Sequence, residues 1–375
     1  MNLYNRRSNN ITKWWFSLDH NIFFAFILLL LVGLVMSRST SPFVAEKIGL
    51  NSLYFYHKHI FFMFMAVVTA LLFSILKTHL ILRISLFFLI FFLFLVAIII
   101  FTEDHTKGAK RWLRIVGFTL QPSEFVKPFF IVINAWFLSR KFIRNDINGY
   151  LLSTLTFLII IICLVLQPDI GMSLSFIAVW SGQIFISGIS YLIIVFLLLM
   201  ALTALSLAYF VFPHVKYRID MFLFSDSGPT YQVSKSLDAI ASGGFAGQGL
   251  FEGVVKNNLP DSHTDFIFAA MMEEFGLIIT FLILSLYCLI IFRILLHIKL
   301  LKDNFLIILL VGFAIQLAFQ LFVNVGVNLN ILPTKGTTLP FISYGGSSLL
   351  AMGILVGILL AACKDQFGIL KNKNG

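Results

Sequence analysis

Residues 259–268 read Leu-Pro-Asp-Ser-His-Thr-Asp-Phe-Ile-Phe, and the chain beyond carries only Glu273 and Glu274 as charges as far as Phe292. A polar, turn-forming run that stops at the mouth of a long apolar stretch places a carboxylate, Asp265, at a membrane surface. Ionisable groups beside hydrocarbon are costly to retain, so the cluster marks a candidate functional site. The competing reading is an ordinary helix start capped by Ser262, Thr264 or Asp265.

Working outward, the composition agrees with a membrane class. Hydrophobic residues make up 59% of the 375 residues and charged ones 12%, with a mean hydropathy of +0.96. A soluble core cannot absorb that much apolar surface. Cys163, Cys288 and Cys363 lie in or beside apolar runs without metal-like spacing, so they read as packing residues.

A spanning helix needs ~20 mostly apolar residues. That length predicts ten spans, starting near Asn21, Ile60, Ile84, Ser123, Tyr150, Gly171, Tyr191, Asp265, Asn304 and Ser347. The expected fold is an all-α polytopic membrane protein, one integral domain over 1–375. A leader over 1–20 with Arg6, Arg7 and Lys13 precedes an uncleaved first span. Short loops carrying Lys77 and Arg83, then Arg140, Lys141 and Arg144, then Arg293, Lys299 and Lys302 fall on the leader's side, as does the tail over 364–375. The positive-inside rule makes that side, and both termini, cytoplasmic. Extracytoplasmic loops then cover 102–122, 213–264 and 324–346, the large one between spans 7 and 8.

Those outer loops hold most of the polar chemistry. The first carries Lys107, Lys110, Arg111 and Trp112, then Gln121, Pro122, Ser123, Glu124 and Lys127. Cations flanking an interfacial Trp suit a phosphate headgroup on a lipid tail; the alternative is an interfacial belt on ordinary phospholipid. Lys127, one turn from Glu124, also reads as a structural ion pair. The second loop has glycines at 243, 244, 247, 249 and 253, without the Gly-Lys-Ser/Thr of a nucleotide loop, which implies tight turns against lipid or another loop. Glu273 and Glu274 need partners or protons at membrane depth, and a structural pair with a neighbouring cation is one answer. The third loop, with Pro333, Lys335 and Pro340, cannot be a continuous helix and must lie at the surface or line a polar cavity.

GAKRW followed by QPSE, QPDIG at 167–171, Tyr231-Gln232, GGFAGQG, LPDSHTDFIFA with EEFG, and PTKGTTLPFISYGGSS occur here in the order seen in SEDS proteins (shape, elongation, division and sporulation), which the chain resembles over essentially all its spans. Pro333 to Gly336 resembles the division branch more than the elongation branch. Two departures are Asn330, where a glycine is common, and Ser-Arg-Ser at Ser37 to Ser39, where a small residue is usual.

The resemblance implies a peptidoglycan glycosyltransferase of the inner membrane, working at the division septum, that polymerises lipid II on the outer face. Asp265 would be the catalytic base. Lys110, Arg111, Trp112, Gln121, Glu124, Lys127, His263, Lys335 and Ser343 would bind substrate, and Asp169, Glu273 and Glu274 would be structural or partner residues. A divalent cation, Mg or Mn, is a candidate cofactor, with Asp265 a candidate ligand, and no organic cofactor is implied. The implied partners are lipid II, the growing polyprenyl-linked glycan, a class B penicillin-binding protein and other divisome membrane proteins, with no nucleic acid. The alternatives are a lipid II flippase, whose pathway would use Asp169, Glu273 and Glu274, an elongation-type polymerase and a divisome scaffold.

Overall fold

The computed structural model describes residues 10–101, 111–115, 118–144, 148–189, 231–334 and 336–373, with a few isolated positions between 192 and 220. In chain order the helices are α1 (Asn10–Ser17), α2 (His20–Lys47), α3 (Tyr54–Ile75), α4 (Thr78–Ile100), α5 (Pro122–Arg144), α6 (Asn148–Leu166), α7 (Ile170–Ile186), α8 (Tyr231–Gly243), α9 (Ile267–Leu300), α10 (Asn304–Asn328) and α11 (Gly346–Lys373). A two-stranded antiparallel ribbon, β1 (Leu113–Ile115) with β2 (Phe118–Leu120), leads into α5, pairing Leu113 with Leu120.

Among the described residues seven helices are long and apolar enough to cross a membrane: α2, α3, α4, α6, α9, α10 and α11 as far as Lys364. Each expected span start lies on or beside an observed helix, except that near Tyr191, which falls outside the described residues. α7 has 17 residues. α10 runs on to Asn328, so the third polar loop begins five residues later than the expected 324.

Burial sorts the helices into a centre and a shell. The apolar window of α11 is 89% buried, against 22% for α3 and 28% for α4, α6 and α9. The shell helices turn Phe64, Phe87, Phe94, Ile162 and Phe281 outward, as lipid-facing surfaces do. Close approach of α11 to α3 depends on small residues: Gly353 and Gly357 lie directly on the backbone at Ala66 and Ala70. Small residues four apart allow such contact where no hydrophobic driving force exists between helices. Deeper still, Asn134 Nδ2 donates to Gln183 Oε1 at 2.8 Å, and Gln183 Nε2 donates to the carbonyls of Ile131 and Ile308, both at 3.1 Å, tying α5, α7 and α10.

The start of α2 is pinned by Asp19. It caps α2 by accepting from the Asn21 and Ile22 amides at 3.0 and 3.2 Å. Its other oxygen meets Arg293 at 2.7 Å and His297 at 2.6 Å on α9. Burial pushes the Asp19 carboxyl up, but hydrogen bonds from His297 and Arg293 outweigh it and hold the group at about 2.

Near its N-terminus α9 departs from a simple span. It breaks at Gly276 (φ 70°), and the glycine loop after α8 supplies the missing bonds. Gln248 N donates to Glu273 O at 2.8 Å, and Leu277 N donates to Gly244 O at 3.0 Å. The expected turns against lipid or another loop are therefore turns against a broken helix. Gly247 (φ 84°) and Gly276 face each other across this contact, where a Cβ on either would strike the other segment's backbone. Asn330 also has a left-handed backbone, φ 57°. Asparagine tolerates that region better than other non-glycine residues, which accounts for it standing where a glycine is common.

Candidate active site

Asp265 does not cap α9. The helix begins at Ile267, and its N-cap Phe266 has no side-chain capping bond. The first turn is served from α10 instead, where Asn328 Oδ1 accepts from the Ala269 amide at 3.1 Å.

Three successive carbonyls fix the backbone around Asp265. His263 O accepts from Tyr344 N at 2.9 Å, and Thr264 O accepts from Ser343 Oγ at 2.6 Å. Asp265 O accepts from Asn324 Nδ2 at 2.9 Å and Asn328 Nδ2 at 3.1 Å. Asn324 Nδ2 also reaches Thr337 O at 2.7 Å, which joins the third outer loop to the same clamp. Every donor comes from α10 or that loop, so two segments distant in sequence hold one short stretch of chain.

Asp265 faces a cavity of about 600 Å³. Arg111, Trp112, Gln121, Glu124, Lys127 and Asp169 line the same cavity. Both of these cations are engaged. Lys127 Nζ meets Glu124 Oε2 at 2.6 Å with both side chains buried, and Arg111 Nε lies 3.4 Å from Asp169 Oδ2. Arg111 also donates to Pro168 O, and Asp169 caps α7 by accepting from Met172 N at 3.2 Å. Thr334, Gly336, Thr337 and Tyr344 of the third loop line it as well. A Cβ on Gly336 would lie 2.9 Å from Asp265 Oδ2, so the loop's backbone runs directly over the carboxylate. Burial pushes the Tyr344 hydroxyl well up, with Tyr54 adding to the effect, so it remains neutral.

Other expected site residues lie elsewhere. His263 packs its ring on Phe55 and Tyr344, 5.2 and 5.6 Å between centroids, and is not on the cavity wall. Ser343 is buried behind the wall, where its hydroxyl accepts from Leu339 N at 2.7 Å while donating to Thr264 O. Neither lines the cavity: Ser343 holds the segment before Asp265 through Thr264 O, and the His263 ring packs beside it. Glu273 accepts from the Val255 and Lys256 amides, both at 2.7 Å. Glu274 pairs with the Lys256 ammonium and Ser39. Burial pushes Lys256 down to about 8, with Glu273 offsetting part of the effect. Lys110 and Lys335 fall outside the described residues.

Sequence reasoning passed over Asn324, Asn328 and Gln320. The signal was present: Gln316, Gln320, Asn324 and Asn328 recur every fourth residue in an apolar helix, which puts four amides on one face.

A family model described as FTSW_RODA_SPOVE, cell cycle protein, matches residues 19–366. A probable peptidoglycan glycosyltransferase FtsW of Caulobacter vibrioides is 36% identical over 361 residues, covering 95% of this chain and 91% of its own. Another so described, from Trichlorobacter lovleyi, is 35% identical and covers 89% and 91%. In structure, the crystal form of Thermus thermophilus RodA, a rod shape determining protein, superposes with a TM-score of 0.70 at 25% identity, covering 94% of this chain and 99% of that one. A chain from a peptidoglycan synthase complex gives a TM-score of 0.78 at 24% identity, covering 93% and 98%. The shared architecture and the match over nearly the whole length lead to one conclusion: this chain belongs to the FtsW/RodA/SpoVE family, the SEDS proteins.

Proposed function

We propose that this multi-pass membrane protein is a division-type peptidoglycan glycosyltransferase that polymerises lipid II, and that the cavity headed by Asp265 is its active site. The observation that carries the site is the clamp: three consecutive carbonyls held by side chains and backbone from elsewhere, so that one carboxylate projects into a cavity with paired cations opposite. Fixing a reacting group in place is worth orders of magnitude in rate.

Asp265 takes the proton from the acceptor sugar's hydroxyl as that oxygen attacks the donor's anomeric carbon, with inversion, and polyprenyl pyrophosphate leaves. Arg111, Lys127 and the residues beside them on that wall face the departing charge, and Lys110 and Lys335 complete the set expected from the family. Among the described residues no three His, Cys, Asp or Glu side chains converge as a metal cage requires. Asp261 and Asp265 do share the cavity wall, and a Mg²⁺ held by one or two carboxylates takes its remaining ligands from water and substrate phosphates. Such an ion would supply neutralisation of the leaving pyrophosphate.

Chemistry on exported lipid II places this cavity at the outer face and both termini in the cytoplasm. The family further implies a class B penicillin-binding protein as the crosslinking partner. The test is polymerisation by purified protein, with that partner supplied. Asp265→Asn should retain folding and partner binding but lose about 10²- to 10⁴-fold in rate. Near-normal glycan synthesis by the variant would remove Asp265 from the mechanism. Lipid II scrambling in vesicles without glycan from the unaltered protein would favour the transporter.

A further inference from the structure

The four amides on one face of α10 do not share one task. Asn324 and Asn328 hold the Asp265 carbonyl, and Gln316 accepts from Ser175 Oγ at 2.9 Å. Gln320 lies between them, 5% exposed and on the cavity wall. Its Oε1 is a buried acceptor without a partner, as is the buried Oγ1 of Thr337 in the same cavity. Buried polar atoms in native proteins are almost always satisfied, so an orphan aimed into a cavity points to a ligand that supplies the donor.

The unpartnered atoms narrow the ligand's chemistry. An amide oxygen and a hydroxyl oxygen left without donors call for a neutral group rich in N–H and O–H donors, whereas a phosphate brings only acceptors. Phe319 beside Gln320 offers an apolar surface to the C–H face of a sugar ring. Gln320 stands one turn from Asn324, about 6 Å along the helix by its 1.5 Å rise. That is comparable with the distance between the attacking hydroxyl of an N-acetylglucosamine unit and the acetamido group on the other flank of its ring.

We propose that Gln320 is a specificity-determining residue whose Oε1 accepts the acetamido N–H of the acceptor sugar, with Thr337 Oγ1 taking a neighbouring hydroxyl. The proposal rests on the polymerase reading and assigns the part of the cavity beside Gln320 to the acceptor.

A single-transfer assay tests it with full-length protein and its transpeptidase partner. The donor is lipid II whose own acceptor hydroxyl is blocked, and the acceptors are labelled natural lipid II and an analogue with hydrogen in place of the terminal sugar's acetamido group. Unaltered protein should prefer the natural acceptor by about tenfold in kcat/KM, mostly through KM. Gln320→Met, which keeps the volume and loses the acceptor, should use both alike. Gln320→Glu, which keeps an oxygen at the same reach, should retain the preference and serves if the Met variant fails to fold. Equal preference in the unaltered and Met proteins, or loss of preference in the Glu variant, overturns the assignment. Unaltered protein that uses both acceptors equally also overturns it while leaving the polymerase intact; unaltered protein that joins neither sinks the polymerase reading itself.

Discussion

Gly336→Ala is a small change with a calculable effect. The added methyl would sit 2.9 Å from Asp265 Oδ2, 3.6 Å from its Cγ and 3.8 Å from Oδ1. Ordinary contact begins near 3.4 Å, so the carboxylate must retreat by about half an ångström. A displacement of about 1 Å in a reacting group costs about 10²-fold in rate, so half of that predicts about tenfold in kcat. Gly336 is exposed and its backbone is not left-handed, so alanine should leave folding unaffected. Glycan synthesis at saturating lipid II, with thermal unfolding by intrinsic fluorescence measured alongside, gives both quantities. An unchanged kcat would mean that Asp265 works from another position. A fall in kcat matched by a fall in melting temperature would mean that the loop had moved and not the carboxylate alone.

Asn328→Ala removes bonds to Ala269 N, Asp265 O and Asn324 O; at ~1 kcal/mol each it should lose about 3 kcal/mol, and kcat should fall while KM holds, so an unchanged kcat in the folded variant would deny the clamp a positioning role. The Asp19 carboxyl sits at about 2 against an ordinary 3.8, a depressed value worth about 2 kcal/mol that is present above pH ~4 and lost as pH falls from about 4 towards 2. Asp19→Asn should therefore melt lower than the unaltered protein at pH 7, with the gap closing at pH 2.5; a constant gap in detergent melting curves would count against the ion pair. For orientation, a cysteine at exposed Glu252 should react with an impermeant thiol reagent in cells stripped of any outer membrane, and one at exposed Lys302 should not, in a chain lacking Cys163, Cys288 and Cys363. Labelling reversed between the two positions would remove the outer-face reading of the cavity.

Much of this architecture was legible because lipid imposes simple rules. Apolar runs of spanning length located the helices, and the abrupt polar boundary at Asp265 located the cavity. The ion pair of Glu124 with Lys127 followed from their spacing of three. What the sequence did not disclose were contacts made by uncharged groups and by backbone. A search for ionisable residues passes over the amides of α10, although their fourfold spacing is plain once sought. Ser343 belongs to a motif, yet nothing in a linear string shows that its hydroxyl is spent on Thr264 O and Leu339 N. The break at Gly276 was hidden for a different reason: a single glycine within an apolar helix is common, and only the loop seated against it shows that the helix opens there.

That seat has a consequence for biogenesis. The carbonyls of Glu273 and Glu274 and the amides of Leu277 and Ile278 find their partners in residues 244–249. Those residues leave the ribosome before α9 does. Until they stand beside it, the first part of α9 would expose four unsatisfied peptide groups to hydrocarbon, each costing several kcal/mol. The order of synthesis thus matches the order of need, and α9 settles as a broken helix only after the loop is in place. The glycine loop is consequently a wall of the membrane domain rather than a surface appendage. Shortening it should abolish membrane assembly, whereas an insertion at exposed Val254, beyond residues 244–249, interrupts none of these four bonds.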